Sequence, residues 1–156
     1  YYLRGLINFN EQQGWLASLG GQDLSERDLQ AGREAFDAFR EVVTRFPDSK
    51  YAADSEARMK YLVNSMAAGE VHIARYYYKR GAYVAAINRA QLAVRQYQQA
   101  PAIEEALYIM LMSYERLGLD ELRSDTERVM KTNFPRSELL SKGYQSDERR
   151  WWQVWK

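Results

Sequence analysis

The sequence contains no cysteine, only three prolines and a single histidine among its 156 residues. Because cysteine is absent, disulfides and thiolate chemistry are excluded. His72 has neither a second histidine nor a cysteine with which to share a metal ion, so we expect it to have a structural role. The composition therefore predicts no metal site.

The sequence also lacks a strong charge excess and a long apolar run. Its 22 basic and 21 acidic residues leave a formal net charge of +1, which predicts no nucleic-acid partner. No apolar run approaches the roughly 18 residues of a membrane-spanning helix, and no signal peptide is visible. Since the first residue is Tyr1, we expect a processed protein or an excised fragment, and a targeting segment could have been lost with the missing N-terminus.

Catalytic motifs are missing as well. The sequence has no glycine-rich phosphate loop and no nucleophile elbow. Acidic residues are scattered over polar helix faces, and Glu104 with Glu105 suits the first turn of a helix better than an acid-base pair. We therefore predict a protein that is not an enzyme and that holds no cofactor.

What the sequence does contain is a helical pattern throughout, with no alternating pattern typical of strands. It predicts helices at residues 1–9, about 28–46, 49–80, 84–97, 102–117 and 120–134, and it leaves open whether the third continues through Gly69 or kinks there. Prolines and glycines separate most of these segments. Residues 1–142 are assigned to helical repeats with an insert at about residues 10–28, and residues 143–156 to a basic, aromatic tail.

Two segments 37 residues apart repeat the residue classes of the tetratricopeptide repeat (TPR), a helix-turn-helix unit of about 34 residues. Tyr77 and Gly81 take its aromatic and turn positions, and Tyr114 and Gly118 take the same positions in the second copy. The small residues that let the second helix of the first copy pack closely are Ala86, Ala90 and Ala93. We predict an all-α, TPR-like solenoid with about three repeats.

The other second helices fit the repeat less evenly. The last one has Arg123 and Glu127 where small residues are expected, and a shifted frame would instead bury Leu122, Val129 and Met130. An upstream helix has an apolar stripe at helical spacing. That stripe consists of Ala35, Phe36, Phe39, Val42, Val43 and Phe46.

Three blocks of sequence are distinctive. They are YYLRGL at residues 1–6, the stretch from Ala35-Phe36 to Phe46-Pro47-Asp48-Ser49-Lys50-Tyr51, and ARYY at residues 74–77 followed by RGAYVAAINR at residues 80–89. Over roughly residues 1–97 these blocks resemble the BamD/ComL family of outer-membrane assembly lipoproteins. Gln98 and Gln99 depart from the family's Pro-Asp at the helix exit, and the tail beyond Pro135 is not matched.

The resemblance implies the last three of five TPR units of a periplasmic Gram-negative protein, anchored to the outer membrane by an N-terminal lipid that is absent here. It implies a non-catalytic scaffold of the complex that assembles β-barrel outer-membrane proteins, binding the POTRA domains of BamA. Accessory lipoproteins of that complex are possible further partners, and unfolded outer-membrane proteins would bind the missing N-terminal repeats. The alternatives are a generic periplasmic TPR adaptor for peptide tails or cell-wall-associated proteins and, disfavoured by the missing motifs, a cell-wall hydrolase.

Arg89 matches the arginine with which the family faces BamA. Helical spacing directs it away from the packing face of Ala86, Ile87 and Ala90, and its planar guanidinium suits an interface carboxylate. The alternative is a solvated surface arginine or one that is paired within the fold. We expect Arg89→Glu to weaken BamA binding while leaving the fold intact.

Several tyrosines surround the turn at Gly81. Tyr77 is expected in the core, and at least one of Tyr76 and Tyr78 should be exposed. Tyr78 falls at a concave-facing TPR position, near Val71, Arg75 and Lys79, which suits an extended peptide or a partner loop. The predicted partner-binding residues are Arg75, Tyr76, Tyr78, Arg80, Tyr83 and Arg89. The alternative is that the tyrosines simply pack on neighbouring helices.

Three of the four tryptophans lie among the last six residues. Large apolar side chains beside basic ones at a chain end indicate a possible second site, formed by Trp151, Trp152 and Trp155. The tail could cap the last repeat, insert at a lipid headgroup layer, or bind a groove on a partner.

Overall fold

The computed structural model describes the backbone of residues 1–16 and 26–143 and the side chains of residues 1–9 and 30–143. Within these ranges all regular elements are helices. They are α1 (Tyr2–Leu16), α2 (Glu26–Arg45), α3 (Ala52–Lys79), α4 (Tyr83–Gln96), α5 (Ile103–Leu117), α6 (Asp120–Asn133) and α7 (Glu138–Lys142). The chain divides into two units, Tyr1–Gly69 and Glu70–Lys156.

The first unit packs α1 against α2 around two buried phenylalanines. The rings of Phe9 and Phe39 meet edge to face with their centroids 6.1 Å apart. The two helices approach closely at Gly5, where an added Cβ would lie only 2.7 Å from the Phe39 ring. Glycine is therefore required at this position by packing.

An aromatic and ionic group joins α1 to α3 in the same unit. The ring of Tyr2 stacks on Tyr51 at 4.5 Å between centroids, and its hydroxyl donates a 2.8 Å hydrogen bond to Asp54. Asp54 also accepts a 2.6 Å hydrogen bond from Arg58, whose guanidinium lies 4.8 Å from the centroid of the Phe9 ring. These two hydrogen bonds, that from Arg58 first, lower the pKa of Asp54 below its ordinary value of 3.8.

The second unit is built around α5, which packs against α4 and against α6. Because it has neighbours on more than one side, α5 is buried nearly all round. Its buried residues are Ile103, Ala106, Leu107, Tyr108, Ile109, Met110, Leu111, Ser113 and Tyr114. In α4 the predicted small residues Ala86, Ala90 and Ala93 are fully buried, so that prediction is confirmed.

α3 and α5 end in the same hydrogen-bonded turn. After α3, the amide of Ala82 donates to the carbonyl of Tyr77 at 3.0 Å, across Gly81 with its φ of 76°. After α5, the corresponding bond is again 3.0 Å long and Gly118 has a φ of 68°. This is the Schellman motif, in which a left-handed glycine lets the chain satisfy the last helical carbonyls. The fold is all-α with TPR-like helix-turn-helix pairs, as predicted.

Two predictions in the first unit need correction. The first helix extends to Leu16 instead of ending at Phe9, so part of the expected insert is helical. Phe46 was placed in the apolar stripe of the second helix but is 52% exposed, because α2 ends at Arg45 and the chain turns away. The sequence left open whether the third helix kinks at Gly69, and the structure answers this question, because α3 is continuous from Ala52 to Lys79.

The last repeat also differs from expectation. α6 packs through Thr126 and Met130, which are buried, whereas Leu122 and Val129 stay exposed. The shifted repeat frame therefore predicted the burial of Met130 correctly, but its prediction that Leu122 and Val129 are buried is wrong. A short helix that the sequence did not predict, α7, follows Ser137, whose hydroxyl accepts a 3.4 Å hydrogen bond from the amide of Leu140.

Candidate protein-interaction site

α4 places Arg89 at the edge of its packed face. Ala86 and Ala90 are fully buried, whereas the Arg89 side chain keeps 43% of its surface exposed. Its Nη1 lies 3.3 Å from Oε2 of Glu70, a residue of α3 whose side chain is only 4% exposed. Arg89 is therefore half-buried and paired within the fold, while part of its guanidinium still faces solvent.

Glu70 depends more on this ion pair than Arg89 does. A buried carboxylate without a counter-charge would be strongly unfavourable, and Arg89 supplies the counter-charge that Glu70 needs. Arg89 depends less on Glu70, because water reaches its exposed part. Glu70 thus holds the arginine in one position, and a second carboxylate could approach the guanidinium from the solvent side.

Arg75 is held by a stronger pair. Its Nε and Nη2 each donate a 2.6 Å hydrogen bond to a different oxygen of Glu105, so that α3 is joined to α5 in a two-bond fork. Both side chains are less than a third exposed. The fork of Arg75 is therefore largely engaged within the unit, and Val71, expected beside it, is buried.

Tyr76 and Arg80 form an exposed pair at the end of α3. The Arg80 guanidinium lies 5.0 Å from the centroid of the Tyr76 ring, which suits a cation–π contact. Tyr76 also meets Tyr77 edge to face at 5.8 Å. Tyr76 is 51% exposed, as expected for at least one of the pair Tyr76 and Tyr78. Tyr77, which was expected in the core, is only half-buried.

Tyr78 and Tyr83 form a second aromatic pair across the Gly81 turn, with ring centroids 5.7 Å apart. The guanidinium of Arg116 makes a side-chain hydrogen bond with Tyr78, which raises the pKa of that arginine further above its ordinary range. Arg116 itself is exposed. Aromatic surface and a fixed positive charge are thus combined on one side of α3 and α5.

Sequence reasoning missed three residues of this region. Glu105 was interpreted as a helix-start acid, and Glu70 was not singled out, since neither pairing is visible from local spacing. Arg116 could have been found from the repeat. The offset of 37 residues that relates Gly81 to Gly118 also relates Lys79 to Arg116, so the two residues occupy equivalent repeat positions.

The predicted second site, Trp151, Trp152 and Trp155, lies outside the described residues. Among residues 1–9 and 30–143, whose side chains the structure describes, no group of three histidine or acidic side chains is placed to hold a metal ion. In the same part of the chain, none of the helices combines the length and the apolar character needed to cross a bilayer.

The chain matches a known family along most of its length. The sequence model of the family described as YfiO, outer membrane lipoprotein, matches residues 1–129. The chain belongs to this family. The predicted resemblance is therefore confirmed, and with it the association of the family with the outer membrane.

Individual relatives carry one name. A protein of Neisseria meningitidis serogroup A, called outer membrane protein assembly factor BamD, is 51% identical over 154 residues, which is 99% of this chain and 58% of the relative. Proteins of the same name from Xylella fastidiosa (Temecula1) and Haemophilus influenzae are 38% and 36% identical over 86% and 85% of the chain. The matched region covers 46% of the Xylella protein and 50% of the Haemophilus protein, so the chain spans about half the length of the curated relatives it matches.

Proposed function

We propose that this chain is a non-catalytic interaction scaffold of the machinery that assembles β-barrel proteins in the outer membrane, and that it binds the POTRA region of BamA. Membership of the YfiO family and the name of the relatives, assembly factor BamD, support the assembly role. The observation that carries the partner assignment is Arg89, half-exposed on α4 and held by the buried carboxylate of Glu70.

The proposed contact uses Arg89 as a pre-positioned anchor. An interface arginine normally loses side-chain freedom on binding, and this loss weakens association. Here Glu70 already restrains the guanidinium at 3.3 Å, so less freedom remains to be lost. A carboxylate on the partner would complete the coordination of the planar fork from the exposed side.

Neighbouring residues widen the proposed surface. Tyr76 and Arg80 present an aromatic ring beside a cation at the end of α3, and tyrosine and arginine are enriched among the residues that dominate binding energy. Tyr78 and Tyr83 contribute a second pair. Arg75 acts mainly by fixing α3 to α5 through Glu105, and so supports the surface more than it contacts the partner.

The proposed location is the periplasmic face of the outer membrane, reached through an N-terminal lipid on the longer protein. Accessory lipoproteins of the assembly complex are further proposed partners. Unfolded outer-membrane proteins would engage the more N-terminal repeats. The family description as outer membrane lipoprotein and the greater length of the relatives support these proposals.

A titration of the protein with the purified POTRA domains of BamA tests the proposal. Arg89→Lys keeps a positive charge beside Glu70 but removes the planar fork, and we expect it to weaken binding at least about fivefold. The matched control is Arg95→Lys, the same change at an exposed position near the end of α4, which should leave affinity unchanged. Failure of the unaltered protein to bind, or equal effects of both variants, contradicts the proposal.

The alternative is an adaptor for extended peptides, and the group of Tyr78, Tyr83 and Arg116 is the observation that favours it. Aromatic rings beside a cation suit a peptide that carries acidic or C-terminal carboxylates. Arg116→Gln distinguishes the two functions. It should abolish peptide binding if the adaptor function holds, whereas docking through the Arg89 surface predicts that Arg116→Gln weakens POTRA binding less than Arg89→Lys does.

A further inference from the structure

One face of α6 carries exposed apolar side chains. Of the exposed large apolar residues described in the second unit, four fall between residues 117 and 129; they are Leu117, Leu119, Leu122 and Val129. Leu122 and Val129 are two helical turns apart and share one stripe, beside the face through which Thr126 and Met130 pack. An apolar stripe of this kind on a water-exposed helix usually has something that covers it.

The stripe has an acidic border. Asp125 lies one turn from Leu122 and one turn from Val129, and it is paired with the exposed Arg128 at 2.9 Å. A shallow cleft at the start of α6 is lined by Asp120, Glu121, Ser124 and Asp125. An occupant that fits this surface combines large apolar side chains with positive charge.

The end of the chain has this composition. Residues 149–156 read Arg-Arg-Trp-Trp-Gln-Val-Trp-Lys, which is three tryptophans, three basic residues and no acidic residue. Tryptophan offers a large apolar surface for covering leucine and valine. Arg149 and Arg150 directly precede the first two tryptophans, and their charge is opposite to that of Asp120, Glu121 and Asp125.

The chain is long enough to reach the stripe. After α6 it returns through α7, which contacts α5, and a Cβ at Gly143 would lie 3.1 Å from the hydroxyl of Tyr108 on that helix. The eight residues from Gly143 to Trp151 span up to about 26–29 Å when extended. α6 is about 21 Å long. From α5, the neighbour of α6, the tail can therefore reach Leu122 and Val129.

We propose that residues 149–156 dock on the outer face of α6, with the tryptophans on the stripe of Leu122 and Val129 and the arginines at its acidic border. The docked tail then serves as the cap of the last helix pair, covering the apolar surface that a following repeat would cover in a longer array. This role does not depend on the proposed binding of BamA.

Cysteine pairs test the docking directly, because the sequence has no cysteine of its own. Trp152→Cys is combined with Leu122→Cys or Val129→Cys, and mild oxidation is followed by separation of cross-linked from open chains. The matched control combines Trp152→Cys with Val84→Cys, an exposed valine of α4 in the same unit. We expect an intramolecular cross-link with at least one α6 position, in severalfold higher yield than with the control.

Three outcomes overturn the proposal. The first is no cross-link at either α6 position or a yield equal to that of the control. The second is a cross-link only between two molecules, which would assign the stripe to a second copy. The third concerns fluorescence of the Trp15→Phe protein, in which only the tail tryptophans emit. Emission typical of solvent-exposed tryptophan, with a shift to shorter wavelength only after phosphatidylethanolamine–phosphatidylglycerol vesicles are added, would assign the tail to the membrane surface.

Thermal unfolding gives an independent reading. Removal of residues 149–156 and the double change Leu122→Ser with Val129→Ser should each lower Tm by at least about 3 °C. The two changes together should lower it no further than the larger single effect, because they remove the same contact. Fully additive losses, or no loss on removal of the tail, contradict docking.

Discussion

Arg89 Nη1 lies 3.3 Å from Oε2 of Glu70, and the two side chains differ tenfold in exposure, 43% for the arginine and 4% for the carboxylate. This inequality changes the expected effect of Arg89→Glu. A second carboxylate would then face a buried one, so the substitution would disturb the fold as well as any partner contact. Arg89→Lys is the cleaner test of binding.

The different dependence of Glu70 and Arg89 on their ion pair can be tested by measuring the free energy of unfolding. Arg89→Met leaves Glu70 buried without its counter-charge and should lower the free energy of unfolding by about 1–3 kcal/mol. Glu70→Met leaves an arginine that water can reach, and the loss should be smaller. The double variant should recover most of the Arg89→Met loss, since an apolar pair often replaces a buried ion pair without penalty. Urea unfolding measures all three. A larger loss for Glu70→Met than for Arg89→Met would show that the pair is not organised in this way.

Gly5 should resist substitution although it lies inside a helix. Alanine normally stabilises a helix by about 1 kcal/mol relative to glycine. At Gly5 its Cβ would lie 2.7 Å from the ring of Phe39, whose side chain is fully buried. We expect Gly5→Ala to lower stability by about 1–3 kcal/mol, and Leu3→Ala, an exposed position on the same helix, to change it by less than about 0.5 kcal/mol. Stabilisation by Gly5→Ala would contradict the close packing of α1 on α2.

Asp54 makes stability depend on acid pH. Because its pKa is lower in the folded protein than its ordinary value of 3.8, its contribution is fully present well above pH 3.8 and is lost as pH falls through that value towards the folded pKa. The loss of stability between pH 7 and pH 3 should therefore be smaller in Asp54→Asn than in the unaltered protein. Arg58→Met, which removes the main cause of the shift, should reduce the loss in the same direction. An unchanged pH profile in both variants would show that the carboxylate does not stabilise the fold.

The fork between Arg75 and Glu105 should show a measurable coupling. Two 2.6 Å hydrogen bonds between side chains that are less than a third exposed predict a coupling free energy of about 1 kcal/mol in a double-mutant cycle with Arg75→Met and Glu105→Gln. The control cycle uses Arg40 and Asp37, a 2.9 Å pair that is more than half exposed, where about 0–0.5 kcal/mol is expected. Equal coupling in both cycles would mean that burial and the second hydrogen bond add nothing.

The parts of the fold that could be predicted are those encoded by short-range spacing. Gly81 and Gly118 end their helices in the same Schellman turn because a left-handed residue is needed there and glycine adopts it without strain. Ala86, Ala90 and Ala93 are buried because helical periodicity puts them on one face. By contrast, an insert was expected from about residue 10, yet α1 continues through Gly14 to Leu16, since one glycine weakens a helix without ending it.

The misses required knowledge of the tertiary neighbours. Spacing alone could not tell that the partner of Arg75 is Glu105, thirty residues away, or that Glu70 is buried below Arg89. Leu122 and Val129 have the residue type of a core, but α5 packs on the adjacent face of α6. Of the predicted partner-binding residues, Tyr76 and Arg80 lie exposed, whereas Arg75 and Arg89 are engaged within the fold. Which of them contact a partner stays a prediction.

Site-specific photocrosslinking to BamA tests the central claim most directly. A photoreactive residue is placed at Asn88, which is exposed and adjacent to Arg89 on α4, and in a second protein at Ser124, which is exposed on α6. Each is irradiated with the periplasmic POTRA domains of BamA. The account predicts a cross-link to BamA from position 88 and none from position 124. A cross-link from position 124 alone, or from neither position in a mixture that forms the complex, would contradict the assignment of the Arg89 surface as the docking site.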